Sequence, residues 1–273
     1  MSASASRPPR SLALRALAPL PALLAAAWLL APSPALSQQM GRLPDVQNLE
    51  PQLPVEIEDA ELTGAGQREL QLPLRMTREQ DGDDRFLIEP RFQFGLAERW
   101  QATVGLPLVI GSSDRTNSGN LRGDMLFKPI DEGSLIPAIA VGAGLELPTG
   151  KNAEGTDLTL RLLATKTLGA VPGTHRIHGN ASWRINDDAL PGERDDTVRF
   201  GLGYSTPLSD ATLLVADVMR GHGRLGATGM STVWELGVRQ VFTPGTIVAV
   251  GLGVGSGPDA PDWQVTAGVE TRF

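Results

Sequence analysis

The chain has 273 residues and a formal net charge of -7, from 31 acidic and 24 basic side chains; this balance gives no support for nucleic acid as a partner. It contains no cysteine, which excludes disulfide scaffolds, thiolate nucleophiles and cysteine-based metal sites. Glycine (31) and proline (21) are both frequent, a composition that suits many short strands joined by turns.

Residues 1–37 have the pattern of a secretion signal. Three arginines precede an apolar, uncharged run over 16–31, and a small-x-small cleavage site follows at 35–37. We therefore expect a Sec-type signal peptide whose removal leaves Gln38 as the first residue. An anchoring helix is the alternative reading, but the run is short and contains two prolines. Beyond it, no apolar run approaches the roughly 18 residues that a membrane-spanning helix needs.

Residues 38–66 differ in character from the rest of the chain. They contain three prolines, show no sustained hydrophobic period, and include an acidic cluster at Glu56, Glu58, Asp59 and Glu61. This composition predicts either a disordered periplasmic tail or a plug tucked into the mouth of the domain that follows, with disorder favoured.

Residues 67–273 read as strands punctuated by turns, and twelve strands are predicted. They lie at 67–75, 85–95, 98–108, 120–128, 135–147, 156–168, 174–185, 195–206, 211–220, 230–242, 246–256 and 263–273.

The connections between these strands alternate between long and short. The first, 76–84, is long and charged, the second is about two residues at 96–97, and the third, 109–119, is long and polar. A barrel that spans a membrane sorts its connections in this way, with tight turns on the periplasmic side and longer loops outside. A soluble sandwich, the alternative, has no reason to do so.

The two faces of the strands agree with a barrel. In the last strand, 263–273, the apolar residues share one parity and the polar residues share the other. Charges fall on one parity in most strands, and an arginine on a lipid face costs about 2–4 kcal/mol at mid-membrane. The predicted fold is therefore all-β, a transmembrane antiparallel up-and-down β-barrel of about twelve strands over 67–273, behind a cleaved signal peptide.

Some features fit this prediction less well. The fourth, ninth and eleventh strands alternate poorly, and Asp217 is hard to place. A single tyrosine leaves little for the aromatic girdles of a barrel. Pro90 and Pro107 fall inside strands, where we expect them to mark bulges.

The charges of the polar parity are the candidate functional residues, because they would line or bridge a narrow lumen. They allow two readings: a selectivity ladder for a polar or anionic solute, and a structural ion network that fills the barrel, which is favoured. The predicted lining set is Arg122, Asp124, Glu146, Arg161, Arg184, Arg199, Glu235, Arg239, Glu270 and Arg272.

Catalytic, cofactor and metal sites are not predicted. His178, Asn180 and Ser182 share one strand face, as a serine hydrolase would need, but neighbours two apart lie about 7 Å apart along a strand, too far for direct contacts. The chain has 3 histidines, and those near each other in sequence fall on opposite faces, so no ligand set is visible.

Short strings resemble the outer-membrane family known for a MetA-pathway of phenol degradation, whose members are often labelled transporters. The matching stretches, spread over nearly all of 67–273, are residues 88–96, 104–108, 123–124, 145–151, 178–180, 201–204 and 250–273. The resemblance implies a barrel that lets small compounds, hydrophobic or aromatic ones among them, cross the outer membrane.

These observations predict a passive uptake channel, not an enzyme, in the outer membrane of a Gram-negative cell. Its expected partners are outer-membrane lipid, a small-molecule solute and the barrel-assembly machinery, which would recognise the terminal Phe273; no cofactor and no nucleic acid is expected. The alternatives are a membrane-embedded, phospholipase-like hydrolase and a non-conducting structural barrel.

Overall fold

The computed structural model describes residues 45–111, 118–151, 155–169, 175–189, 192–223 and 229–273. The predicted signal peptide and the first residues after it lie outside these ranges. Within them, no helix is long and apolar enough to cross a membrane.

The described chain forms fourteen strand segments. They are β1 (Arg68–Glu79), β2 (Asp84–Ile88), β3 (Arg91–Ala97), β4 (Trp100–Gly105), β5 (Leu108–Gly111), β6 (Leu121–Ile130), β7 (Ala138–Leu147), β8 (Asp157–Leu168), β9 (His175–Asn186), β10 (Asp196–Ser209), β11 (Thr212–His222), β12 (Met230–Thr243), β13 (Thr246–Ser256) and β14 (Pro261–Arg272).

These segments close into one antiparallel barrel of twelve strands. Each strand pairs with its neighbours in chain order, and β14 pairs back onto β1 from Glu69↔Arg272 to Glu79↔Pro261. Closure pairs both edges of every strand segment except β5, which pairs only with β2; a membrane-spanning sheet requires such closure. The all-β, twelve-stranded barrel predicted from alternation is confirmed.

Two barrel strands are interrupted at prolines, which is why fourteen segments make twelve strands. β2 and β3 are separated at Pro90, and β4 and β5 at Pro107. The pairs Leu74↔Ile88 and Gln71↔Arg91 flank the first break, three residues apart on each strand, so no residue is added. The predicted bulges at these prolines are therefore wrong: each proline lacks the N–H for a ladder bond but leaves the register unchanged.

The two ends of the barrel differ in their connections. At one end, the short-turn end, β10–β11 and β12–β13 turn within 210–211 and 244–245. The other end, the long-loop end, carries the connections 112–120, 148–156 and 187–195. The first predicted long loop is wrong, since β1 continues to Glu79 and the turn is confined to 80–83.

The outer face is apolar, but the inner face is not uniformly polar. Outward residues such as Leu202, Leu236 and Val254 are exposed on the wall. Buried aliphatic side chains also point inward from several strands: Leu126, Leu163, Leu213, Val215, Met219, Val241 and Ile247. Most belong to the three strands whose alternation is poor in the sequence, and the next section shows what they contact.

Candidate functional site in the barrel lumen

Residues 45–66, the lumen segment, lie inside the barrel. The segment starts at the short-turn end, where Val46 and Leu49 pack on inward side chains of β11 to β13. It reaches mid-wall at Pro54, beside Gly237 and Gly251. It then turns back, and Gly66 N donates to Gly95 O (2.7 Å) just before β1 begins. The segment thus makes a U-shaped excursion into the lumen from the short-turn end.

Barrel side chains accept hydrogen bonds from the backbone of the lumen segment. Ile57 N donates to Asp217 Oδ2 (2.7 Å), which explains why an acid lies on β11. Four further backbone amides, each with an acceptor on a different strand, are bound in the same way: Glu56 N by Glu235 (3.0 Å), Glu58 N by Asn180 (2.9 Å), Ala60 N by Thr165 (2.9 Å) and Thr63 N by Gln101 (2.8 Å). Irregular backbone inside a barrel needs such partners, because an unsatisfied buried amide costs about 1–3 kcal/mol.

Barrel side chains also donate to the carbonyl groups of the segment. Arg239 Nη1 donates to Leu53 O (2.9 Å), Arg91 to Pro51 O (2.7 Å) and Arg176 to Gln47 O (2.7 Å). Asn180 binds both sides of one residue: its Oδ1 accepts from Glu58 N and its Nδ2 donates to Glu58 O (2.7 Å). These barrel side chains therefore bind the backbone of the segment, whatever side chains the segment carries.

Each acid of the predicted acidic cluster meets a basic residue of a different strand. The ion pairs are Glu56 with Arg75, Glu58 with Arg161 (2.8 Å), Asp59 with Arg176 (3.0 Å) and Glu61 with Lys128 (2.8 Å). Arg199 adds a longer contact to Glu56 at 3.9 Å. An acidic segment is thus held against a basic ring contributed by β1, β6, β8, β9 and β10.

The pKa values of two segment carboxyls move in opposite directions. Burial raises the pKa of Asp59 to about 7, although Arg176 opposes this. Burial also acts on Glu56, but Arg75 and Arg199 outweigh it and lower the pKa of this carboxyl to about 2. Glu56 is therefore an anion at every physiological pH, whereas Asp59 titrates near neutrality.

Aliphatic contacts complete the seat of the segment. Val46, Leu49, Val55 and Ile57 pack with inward residues of β11 to β13 in one cluster, and Ala60 packs with inward residues of β6 to β8 in a second. This packing explains the poor alternation of the fourth, ninth and eleventh predicted strands: at the level of the segment, both faces of those strands meet apolar surroundings.

Glycines on the wall give the segment its room. A Cβ at Gly251 would overlap Pro54 O, and a Cβ at Gly268 would overlap the side chain of Leu53. By contrast, a Cβ at Gly179 would meet nothing within 4 Å. A methyl group at either Gly251 or Gly268 would therefore collide with the segment.

The long-loop half of the lumen is crossed by ion pairs between strands. Arg122 contacts Glu89 (3.0 Å) and Glu146 (2.9 Å), and Arg184 contacts Glu146 (3.3 Å) and Asp157. Arg91 also contacts Glu89 (3.1 Å). These side chains bridge β2 through β9 without help from the lumen segment, apart from the bond of Arg91 to Pro51 O.

Nine of the ten residues of the predicted lining set divide between these two arrangements. Arg122, Glu146 and Arg184 belong to the long-loop network. Six of the others touch the segment directly or pair with a residue that does: Asp124, Arg161, Arg199, Glu235, Arg239 and Glu270. Glu270 pairs with Arg239 (2.8 Å), and Arg272 pairs with Glu69 (2.5 Å). Sequence patterns did not single out Asn180, Asp217, Thr165 and Gln101 as contacts of the segment, because an inward polar residue looks the same whatever it meets.

His178, Asn180 and Ser182, which the sequence places on one strand face but too far apart for direct contacts, form no hydrogen bond with one another among the described residues. His178 instead contacts Thr165 Oγ1 (3.1 Å) and Ser205 Oγ (2.9 Å), on the two neighbouring strands. His178 and Ser205 are both buried, at 2% and 1% exposure, and the lumen segment lies over Thr165. The cluster is therefore buried beneath the seated segment.

A cavity of 490 Å³ opens at the short-turn end. Its lining combines the two ends of the lumen segment, at Asp45 and Gly64, with Glu132, Arg176 and Arg272 of the barrel. Both ends of the lumen segment therefore lie beside the solvent at the short-turn end of the barrel.

Known barrels share this fold. The COG4313 outer membrane channel from Pseudomonas putida F1 superposes with a TM-score of 0.63 and 14% identity, covering 82% of this chain and 100% of its own. The NanC porin gives a TM-score of 0.55 and 8% identity, covering 75% of this chain and 98% of its own. The chain has the fold of an outer-membrane β-barrel. At such low identities the similarity establishes the architecture and not the solute.

No sequence-family profile matches the chain, and no curated protein matches it. The resemblance to the phenol-degradation family stays a prediction from short motifs.

Proposed function

We propose that the protein is an outer-membrane channel for the passive passage of small molecules, gated by its own lumen segment and performing no chemical step. The observation that carries this proposal is the position of residues 45–66 inside the lumen, where they contact inward side chains of strands all round the barrel. A segment in that position blocks the short-turn half of the lumen, so a solute passes only when the segment moves.

Two features of the seat support movement over permanent closure. The segment forms no strand pairing with the barrel ladders, so its departure breaks side-chain contacts and at most the backbone bond of Gly66 to Gly95, and leaves the ladders intact. Both of its ends lie at the short-turn cavity, which gives it a direction in which to leave.

For the solute, we propose small compounds with an apolar part, including the hydrophobic or aromatic compounds that the family resemblance implies. The inward aliphatic side chains of β11 to β13 support this, since they would face the solute once the segment leaves. The ten predicted lining charges would then act as selectivity elements around that apolar wall.

Conductance of the full chain in planar bilayers tests the proposal. Gly251→Ala places a methyl group against Pro54 O and should expel the segment, so the time spent open should rise at least tenfold over wild type. Gly179→Ala, with nothing within 4 Å of its new methyl group, is the matched control and should behave as wild type.

Movement of the segment can be followed in the same proteins. Because the chain has no cysteine, Ile57→Cys provides a single label site, buried when the segment is seated. It should react with a maleimide in the Gly251→Ala background and stay protected with Gly179→Ala. A silent bilayer despite a labelled, displaced segment would favour a non-conducting structural barrel, and equal currents in all three proteins would exclude the segment as the gate.

A further inference from the structure

We propose that the lumen is a binding site for short acidic peptides, for which the lumen segment is the built-in occupant. This inference rests on the proposed channel function and narrows its solute class. It combines three features of the seat: recognition of peptide backbone, a ring of cations, and an aliphatic wall.

The backbone contacts are the first feature. Among the described residues, nine hydrogen bonds join barrel side chains to main-chain groups of the segment, five through its amides and four through its carbonyls. Such contacts are indifferent to residue type, as in other sites that bind extended peptides. The paired contacts of Asn180 with Glu58 N and O need an N–H donor and a carbonyl acceptor side by side, as a peptide backbone presents them.

The cations are the second feature. Departure of the segment uncovers Arg75, Arg161, Arg176 and Lys128, each of which then loses a carboxylate partner. Arg176 has no other ion pair among the described residues. Because an unpaired buried cation is costly, the emptied lumen would bind another carboxylate-bearing chain in preference to a neutral one.

The aliphatic wall is the third feature. Val55 and Ile57 alternate with Glu56 and Glu58 in the segment, so in an extended chain the apolar and acidic side chains point to opposite sides. The wall matches this pattern, with Leu213, Val215 and Met219 against the first pair and arginines against the second. A peptide of alternating aliphatic and acidic residues would reproduce both sets of contacts.

Calorimetry on the detergent-solubilised full chain tests this inference apart from conductance. The experiment uses the Gly251→Ala variant, in which the segment is expected to leave the lumen. Ile57→Asp replaces it if the first variant does not fold or keeps its segment in the lumen. The probes are a synthetic peptide with the sequence of residues 54–63, a version shuffled only among its apolar positions and among its acidic positions so that the pattern is kept, a neutral version with amides in place of the carboxylates, and adipate, a dicarboxylate without peptide groups.

We expect the native and shuffled peptides to bind within about threefold of each other, and the neutral peptide and adipate at least tenfold more weakly. Asn180→Leu should weaken both acidic peptides at least fivefold and leave adipate unchanged. Asn186→Leu is the control, since that amide contacts Glu193 and not the segment.

Three results would overturn the inference. Tighter binding of the native peptide than of the shuffled one by more than tenfold would mean that the seat fits its own segment alone. Equal binding of adipate would mean an anion site without backbone recognition. Absence of peptide binding would contradict it outright.

If the bilayer is silent while peptides bind, the channel fails and the binding site stands; if current flows while no peptide binds, only the binding site fails.

Discussion

The two halves of the lumen are closed in different ways. In the short-turn half, the strands meet residues 45–66 through backbone hydrogen bonds, four ion pairs and aliphatic packing. In the long-loop half, Arg122 and Arg184 meet Glu89, Glu146 and Asp157 directly across the strands. The first closure can be removed as a unit, whereas the second is fixed to the wall. Under the proposed function, the short-turn half would act as the gate and the long-loop half as the filter.

Ile57→Asp should break the short-turn closure most completely. It puts a charge among Val215 and Met219 and beside Asp217, and a buried unpaired charge costs several kcal/mol. We expect the open time in planar bilayers to rise more than tenfold. Ile57→Val keeps the aliphatic contact and should stay closed; a closed Ile57→Asp channel would mean that the segment is not held by this packing.

Arg239→Met should cost barrel stability as well as closure. It removes the donor to Leu53 O and the nearer cation of Glu270, and breaking such a buried pair costs about 3–5 kcal/mol. A fall in the thermal unfolding temperature measures the effect. Arg239→Met with Glu270→Gln should recover most of the loss, and no recovery would show that the pair is not coupled.

The gate should loosen as pH rises through neutrality. The pKa of Asp59 is raised to about 7 in the seated segment, so its contribution to seating is fully present below its ordinary value of 3.8 and is lost as pH rises through 7. Glu56, with its pKa lowered to about 2, stabilises seating above about pH 4.5 and is constant in this window.

The open time should therefore increase several-fold between pH 6 and 8. Asp59→Asn keeps a neutral side chain of the same shape beside Arg176 and Glu61 and should reduce the pH dependence. A variant that keeps the wild-type pH profile would assign the effect to another group.

Arg122→Ala should alter the filter and leave the gate unchanged. It leaves Glu89 and Glu146 with less positive charge nearby, so cations should become favoured by about twofold in the permeability ratio. Reversal potentials in a salt gradient measure this change, with Arg99→Ala at the short-turn end as control. An unchanged ratio would mean that solutes do not pass these residues.

Ser205→Ala should have the smallest effect. The hydroxyl contacts His178 Nε2 (2.9 Å), and loss of one neutral hydrogen bond costs about 1 kcal/mol. Thermal unfolding should shift slightly, with gating unchanged. Loss of an esterase activity in this variant would instead revive the hydrolase alternative.

The strands of the barrel could be predicted from the sequence, but the contacts of the segment inside it could not. Alternation and loop parity depend on local geometry, so the twelve strands could be predicted, with errors at strand ends such as Met76–Glu79. The ion pairs of Glu56, Glu58, Asp59 and Glu61 join residues at least 19 positions apart, and no periodic pattern encodes them. Poor alternation, as at Leu213 and Val215, was a local sign that apolar groups lie inside the lumen. Asp217 was a sign that a polar group there needs a partner.

The continuity of the lumen segment with β1 has a consequence for speed. A released segment remains covalently tethered at Arg68, on the rim of the site it left. Short flexible tethers hold their ends at effective concentrations on the order of millimolar, so rebinding is intramolecular and does not depend on how much protein is present. Each opening would end by itself, and a ligand that prolongs it must compete with a partner that never diffuses away.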